Sequence, residues 1–583
     1  MTFANQTMSP SQMRVYADRV LRLTTAEALD GVLRRLDRMP LNPAHDAIRD
    51  LLVDWGELES AAADGLCPDA DEEGPELAWW RSASDAVAEA ACASWEGDAS
   101  GCRGSLALAR QRIARLADID VPGRLLVRTA EGFAYYAVTP EQYIAAARTF
   151  ARTRTHGSVM CVGLRTIGSI LAHVVAATLR RSGMPASVRS VRPRGDPFDR
   201  RLSMGPALSK VLATCGSAYF AIVDEGPGQS GSSLAAAAEA LAALDVEPAR
   251  VVFFPSQDGP GSALRSPRGR AAWQRHPKVT ATFDDLWVRS GRLFGAGAVE
   301  DLSAGAWRRT HAATPAAGAP PVHPQHERRK YLRRHGTASI ARFVGFGRRG
   351  AAMHERALAL HDAGFGAKPR GLAHGFLEQD WIPGRPPAPM APGLLNRMAE
   401  YLAFVGRTFA TDEPESIEDL HETITTNAAS IRDVDLGAAD ALAAEARGCE
   451  APRVRVDGRM LPHEWIQADT RMLKVDALDH HDDHFWPGCR DIGWDVAGAI
   501  VEFQLDRAQA GYFVRRYRRM SGDRTIALRL PFVEAAYVAY RFGYASLAAD
   551  ALGDSPDGHG FRNLKERYRR SLATRLSGTL QRV

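Results

Sequence analysis

The chain has no run of about 18 apolar residues, which excludes a membrane-spanning helix. Its opening, MTFANQTMSPSQMRVYADRV, holds no apolar core of signal-peptide length. No CxxC pair occurs, and the seven cysteines (Cys67, Cys92, Cys102, Cys161, Cys215, Cys449 and Cys489) are odd in number. A disulfide framework and a zinc ribbon are therefore not expected, and a reduced chain in the cytoplasm is. Charge of one sign is not in excess: 73 basic against 69 acidic residues leave +4, with arginine spread along the chain. Nucleic-acid binding is not indicated. The 51 glycines and 33 prolines fall short of collagen or low-complexity composition, and no repeat of 20 to 50 residues is seen. What is present is enough apolar material, 45% of 583 residues, for several cores. At roughly 150 residues per domain, the length allows about four domains.

Three regions follow from the patterning. Residues 1–118 read as a helical N-terminal region, because RVYADRVLRLTTAEALDGVLRRL and DAIRDLLVDWGEL place apolar residues three and four apart. The acidic stretch ADGLCPDADEEGPE between helices is expected to be an exposed loop. Residues 119–305 alternate short β-rich runs (SVMCV, ASVRSVR, YFAIV, RVVFF) with alanine-rich helices, which predicts a mainly parallel α/β sheet. GRLLVRTAEGFAYYAV reads as a hairpin flanking that sheet. Residues 306–327, which overlap HAATPAAGAPPVHPQHERRK (His311 to Lys330), read as a linker. Residues 328–583 begin with short strands and end in long amphipathic helices. The expected class is a multidomain α/β and α+β chain.

The most specific order of residue types lies in YFAIVDEGPGQSGSSLAAAAEAL. A strand, Tyr219 to Val223, runs into the acids Asp224 and Glu225. A loop of Gly, Pro and Ser follows, and a helix opens near Ser232. Gly226, Gly228 and Gly231 let the backbone approach a ligand closely. Free N–H groups at the helix start form an anion site, and Ser230, Ser232 and Ser233 add hydroxyls. Two carboxylates beside a phosphate cradle do not favour the phosphate themselves. They suit sugar hydroxyls, or a Mg2+ bridging hydroxyls and diphosphate.

This order resembles the phosphoribosyl diphosphate (PRPP) motif of the type I phosphoribosyltransferases. The resemblance implies that Asp224 and Glu225 hold the ribose hydroxyls. Gly228, Ser230, Gly231, Ser232 and Ser233 would hold the 5′-phosphate. One extra residue in GPGQ departs from the pattern. Upstream, SVMCVGLRTIGSILAHVVAATLRRSG matches the family's diphosphate loop, with Arg165, Thr166 and Gly168 as its candidates. Arg192, Arg194, Arg200 and Arg201 fall where the family has a mobile cover. The implied reaction joins ribose 5-phosphate to a nucleophile with loss of diphosphate. It passes through an oxocarbenium-like transition state that the protein stabilises mainly by position and charge.

A second constellation begins at SIARFVGFGRRGAAMHERALALHDAGFGAKPRGLAHGFLEQDWIPGRP: strand, glycine-rich turn, helix, strand pair. It resembles the N-lobe and hinge of the aminoglycoside phosphotransferase-like kinases. In that family a strand cation pairs a helix glutamate and touches nucleotide phosphates. The resemblance implies ATP with Mg2+ as ligand, Arg342 in place of the lysine, Glu355 as its partner and Trp381 near the adenine. RMLKVDALD ends in Asp476, at the place of the family's metal-binding aspartate, and Asp479 follows as a second candidate. Asp495, in DIGWDVAGAIVEF, is expected at or near a helix N-cap. The family's His-x-Asp, with Asn five residues later, is matched only by Pro462–Trp465. Either His463 or Glu464 takes the catalytic place, or phosphoryl transfer is lost.

The run Asp479–His484, AspHisHisAspAspHis, supplies potential metal ligands together with His463, and it carries a short signature of one phosphoesterase class. The further motifs of that class are absent, and a polar site loop is the alternative. The combined expectation is a PRPP-dependent transferase fused to a kinase-like module, acting on a small or nucleoside-like molecule. A non-catalytic nucleotide or PRPP sensor and a metal-dependent phosphoesterase are its rivals. The acceptor and oligomeric state stay open.

Overall fold

The computed structural model describes residues 13–16, 20–119, 123–154, 157–295, 297–310, 319–387, 393–412, 416–432, 434–449, 451, 453–469, 471–485, 488 and 490–577. The first element is not helical as expected. β1 (Val20–Thr24) pairs antiparallel with β2 (Arg124–Arg128). α1 (Thr25–Asp37) starts directly after it in a capping box: the Glu27 N–H donates to the Thr24 hydroxyl at 3.2 Å, and the Thr24 N–H to the Glu27 carboxylate at 3.0 Å. The hairpin expected within GRLLVRTAEGFAYYAV does not form. Its first half is β2, partnered by β1, and its second half holds the short α5 described below.

α2 (His45–Leu66), α3 (Pro75–Trp95) and α4 (Ala99–Arg115) follow α1. Next come α5 (Glu131–Ala134), α6 (Pro140–Thr153) and α7 (Ile167–Arg181). Ile48 and Leu52 of α2, Val87 of α3, and Ile170 and Val174 of α7 share one core. The N-terminal helices therefore cover one face of the sheet that α7 lines, and the buried Trp55 and Trp80 rings stack at 5.2 Å inside that layer.

The parallel sheet appears as expected. β3 (Val159–Leu164), β4 (Ala186–Val191), β5 (Tyr219–Val223) and β6 (Val251–Phe254) run parallel in the order β4-β3-β5-β6. Alternate residues face opposite layers. Val159, Cys161, Ala221 and Val223 join the core under the N-terminal helices. Met160, Val162, Phe220 and Ile222 join a second core with α8 (Pro206–Thr214), α9 (Ser232–Ala242) and α10 (Pro267–Arg275). The strand order reverses between β3 and β5, so the loops leaving both strands open onto one crevice, where ligands of doubly wound sheets bind. Two glycines permit this approach. A Cβ on Gly163 would collide with the Gly168 carbonyl, and one on Gly168 with the Val223 carbonyl.

The second sheet is antiparallel, in the order β10-β11-β9-β8-β7. Its strands are β7 (Val299–Asp301), β8 (Lys330–Arg333), β9 (Ser339–Phe343), β10 (Pro369–Ala373) and β11 (Phe376–Asp380), with α11 (Gly347–Asp362) between β9 and β10. β7 precedes the expected linker and β8 follows it, yet the two pair. Residues 306–327 are thus an excursion from this sheet rather than a spacer ahead of it. Part of that stretch, 311–318, lies outside the described residues. Its flanks are packed: Arg308 pairs with Asp557 at 2.6 Å, and His326 Nδ1 lies 3.1 Å from the Tyr544 hydroxyl. The C-terminal helices, Leu394–Thr408, Gly493–Glu502 and Ile526–Leu552 among them, enclose a core with Met398, Trp494 and Tyr537. Among the described residues no helix is long and apolar enough to cross a membrane. Six cysteines are free thiols, and Cys489 lies outside the described residues.

Gly168→Ala is expected to destabilise the chain by about 1–3 kcal/mol, because the methyl meets main chain that cannot rotate away. A lowered urea midpoint checks it.

Candidate functional site

Asp224 and Glu225 follow β5 at the crevice. Their main chain is fixed, since the Tyr143 hydroxyl donates to the Asp224 carbonyl at 2.7 Å and the Ser256 N–H to the Glu225 carbonyl at 2.8 Å. Among the described residues neither carboxylate has an ion-pair partner, and the exposed Glu131 lies close enough to repel Glu225. Burial pushes Asp224 up to about 7. Burial, then the charges of Glu131 and Asp224, push Glu225 well above the carboxylate range.

The serine loop opens α9 through Gly231, whose φ of 70° and close approach to Gly269 suit only glycine. The Ser230 and Ser232 hydroxyls both donate to the Pro197 carbonyl, at 2.8 and 2.7 Å. They hold a carbonyl oxygen of the 193–200 segment at the place assigned to a phosphate. Ser233 lies half-buried in the first turn of α9, and Gly228 is exposed with φ 56°.

Arg165 does not face the crevice as a diphosphate ligand. It is buried and pairs with Asp71, and with Asp64 at 3.5 Å. Burial pulls its guanidinium down to about 10. Arg192 donates from its main chain to Asp71 at 2.7 Å and from Nε to Asp64 at 3.0 Å, and Arg194 reaches Asp71 at 3.3 Å. Thr166, at the start of α7, receives a 3.4 Å contact from Arg192. Asp71, in the stretch expected to be an exposed loop, is 1% exposed. The acidic segment is buried because it supplies the counter-charge of arginines that the sheet edge buries. Arg201 stays at the surface, 3.1 Å from Asp199.

In the C-terminal half, Arg342 pairs with Asp476, and with Asp479 at 2.6 Å. Its expected partner, Glu355, is exposed on α11. The spacing along α11 sends the next residue, Arg356, inward instead, onto the carbonyls of Ala477 and Arg455 at 2.7 and 2.8 Å. Trp381 is half-buried, and its N–H donates to the Ala338 carbonyl at 3.0 Å. Asp495 is no N-cap; Ile492 holds that position. The Asp495 carboxylate accepts the N–H groups of Asp457 and Gly458, each at 2.8 Å.

Asp457, Arg459 and Glu464 stand on and after that anchored turn at the spacing of the His-x-Asp and Asn pattern, but share none of its residue types. Glu464 is buried against Lys474 at 2.9 Å and Arg459 at 3.2 Å, so it is no free base. His463 stacks on Trp307 at 5.4 Å. Lys474, which the sequence did not single out, is 1% exposed and lies 3.2 Å from Asp457 as well. Against burial, Lys474 holds Asp457 below its usual range. Arg342 likewise holds Asp476 well below, and Arg342 with Arg328 holds Asp479 down to about 2.

Glu464, Asp476 and His480 offer ligand atoms within 4.8 Å of one another. A divalent ion does not fit them as they stand, because Lys474, Arg459 and Arg342 already neutralise these carboxylates and would repel it. The Asp479–His484 run forms no shared centre. Arg328 takes Asp479 at 3.0 Å and Asp483 at 2.9 Å, and Arg349 takes Asp482 at 2.6 Å. His480 turns to the Asp457 carbonyl at 3.1 Å, and His484 to the Tyr136 hydroxyl at 2.9 Å.

No family model matches the sequence, and no curated protein matches it. Solved structures that align with it include the choline kinase LicA from Streptococcus pneumoniae (14% identity over 42% of this chain and 89% of that one, TM-score 0.31). The macrolide 2′-phosphotransferase MphH from Brachybacterium faecium aligns at 16% identity over 51% and 98%, TM-score 0.30. Spectinomycin phosphotransferase APH(9)-Ia, solved with ADP and spectinomycin, aligns at 12% over 42% and 88%, TM-score 0.29. At these TM-scores the similarity fixes neither the fold nor the activity of this chain.

Two outcomes follow. Asp224 keeps its proton to about pH 7 when folded and releases it near pH 4 when unfolded. Stability contributed by this group therefore falls as pH rises between those values and is flat above them. Urea midpoints in chelator-containing buffers should show the decline, and Asp224→Asn should reduce it. Lys474→Met strips Asp457 and Glu464 of their shared cation and should cost about 3–5 kcal/mol by the same assay.

Proposed function

We propose that the chain is a PRPP-dependent transferase whose parallel-sheet half binds the phosphorylated sugar at the β3/β5 crevice. The observation that carries this is the pair Asp224 and Glu225, half-buried and without an ion-pair partner among the described residues, beside a serine-lined helix start at the sheet's switch point. Their carboxyl groups suit the ribose hydroxyls, and the α9 N-terminus with Ser233 suits the 5′-phosphate, which Ser230 and Ser232 would join on release of the Pro197 carbonyl. A Mg2+ held by the acid pair would neutralise the departing diphosphate. Arg165 is committed to Asp71, which leaves the main chain of Gly163–Gly168 to meet the diphosphate. Once a bound Mg2+ draws off their protons, the two carboxylates would also stabilise positive charge developing on the ribose ring.

The C-terminal half we assign to the kinase-like group, on the order β7-β8-β9-α11-β10-β11 followed by helices and on the anchored turn at Asp457. Its nucleotide candidates, Arg342 and Trp381, belong to that assignment, but Arg459 at the base position gives it no route to phosphoryl transfer through an aspartate. It serves binding or scaffolding.

Calorimetric titration with PRPP and Mg2+ tests the first half. Asp224→Asn should weaken binding at least about tenfold, the loss expected for one hydrogen-bonded charge. Unchanged affinity would overturn the assignment. Diphosphate release against a panel of bases and amines separates the transferase from a PRPP sensor, which binds without release.

A further inference from the structure

The last two residues of the Asp479–His484 run leave their own half of the molecule. His484 Nε2 lies 2.9 Å from the Tyr136 hydroxyl, and its Nδ1, which makes no hydrogen bond among the described residues, lies 3.3 Å from Asp483 Oδ1 as a charge neighbour. Asp483 is fixed in turn by Arg328 at 2.9 Å and by the Phe485 N–H at 3.1 Å. The His484 ring is wedged between Tyr135 and Phe485, at centroid distances of 5.0 and 3.9 Å. Tyr135 is itself tied to this loop, its hydroxyl donating to the Asp482 carbonyl at 2.9 Å.

On the other side, Tyr136 leads back to the acid pair. It follows α5, whose Gly132 packs so tightly on the Glu225 carboxylate that a Cβ there would lie 2.8 Å from Oε2. Glu131 and Glu225 act on the Tyr136 hydroxyl from this side, and Asp483 and Arg328 from the other. Tyr136 is half-buried, with its hydroxyl on His484. Carboxylate, imidazole and hydroxyl in this order form the arrangement that moves a proton off a nucleophile.

We propose that Tyr136, His484 and Asp483 are a proton relay for the transferase site, with Tyr136 the catalytic residue and His484 and Asp483 positioning and charging it. This rests on the PRPP assignment. As the acceptor's lone pair forms its bond to ribose C1, the bond from C1 to the diphosphate oxygen breaks and diphosphate leaves with that electron pair. The acceptor's proton passes to the Tyr136 oxygen while the hydroxyl's own proton passes to His484 Nε2. The imidazolium so formed is stabilised by the Asp483 carboxylate and returns its proton to solvent after product leaves. The C-terminal half thereby completes the first site, and the acceptor must carry an ionisable N–H or O–H.

The test uses the full chain and measures diphosphate released from PRPP and Mg2+ with water as acceptor, beside calorimetric PRPP binding. Tyr136→Phe and His484→Ala should each lower kcat about a hundredfold, the usual worth of general-base help, with the KM for PRPP unchanged. Free imidazole should restore turnover to His484→Ala and not to Tyr136→Phe. Unchanged kcat in Tyr136→Phe overturns the relay. So does a loss in His484→Ala that imidazole leaves in place while PRPP binding weakens, which marks a structural role. If PRPP binds but the unaltered chain releases no diphosphate, the relay fails and the binding assignment stands. If PRPP does not bind, both fail.

Discussion

Arg328 carries its charge at 5% exposure, with Asp479 and Asp483 on its nitrogens and the Tyr135 ring beneath its guanidinium at 4.5 Å. A guanidinium so far from water must keep every one of these partners, because loss of one leaves an uncompensated charge worth about 3–5 kcal/mol. Three stretches distant in sequence are thereby locked together: the lead-in to β8, the loop 479–485 and the segment after α5. Arg349 adds a second lock. It pairs with Asp482 and lies over the other side of Tyr135 at 4.4 Å. The relation between the crevice of the parallel sheet and the loop of the C-terminal half follows from these buried cations.

The same economy of charge explains why the C-terminal cleft lacks the features that its sequence resemblance implies. Most of its acids face an internal cation, Lys474 for Asp457 and Glu464 and Arg342 for Asp476 and Asp479, while Asp495 is met by main-chain N–H groups. Arginine at position 342 does what a lysine there would not. The planar fork spans two carboxylates that a single ammonium would not bridge. The cleft is satisfied by its own side chains, and its remaining polar edge, at His484, points toward another site.

The fold was legible in the sequence where burial acts locally. β3 and β5 are continuous apolar runs because both faces of their sheet are covered, and such runs between alanine-rich helices admit few other readings. The crevice residues were legible for the same reason, since acids directly after a buried strand have only one place to go. What failed was every feature fixed by a partner far along the chain. Val20–Thr24 has enough helical periodicity to pass as helix, and it becomes a strand only because Arg124–Arg128 pairs with it. Asp71 sits among acids and reads as solvated until Arg165, Arg192 and Arg194 surround it. Glu355 and Arg356 are adjacent in sequence, and only the packing of α11 decides which faces inward.

The N-terminal helices neutralise the arginines at the sheet edge, and the arginines of the C-terminal half neutralise its own loop. Among the described residues Glu57, half-buried, and Glu59 and Asp495, both buried, are also acids without an ion pair. Asp224 and Glu225 differ from them in place: they directly follow β5 where the strand order reverses, with Glu131 beside Glu225. Evolution of a stable fold alone would remove such a cluster or pair it, since acids that hold their protons above the usual carboxylate range make the fold lose stability as pH rises towards neutral. A site that must accommodate positive charge, whether a bridging cation or a sugar ring turning cationic as diphosphate departs, requires them unpaired. The instability of these acids is thus the physical counterpart of the reaction assigned to them. Their neighbour Tyr136 feels the charges of Glu131 and Glu225 and is tied to His484, so the C-terminal loop and the acid pair act on one hydroxyl.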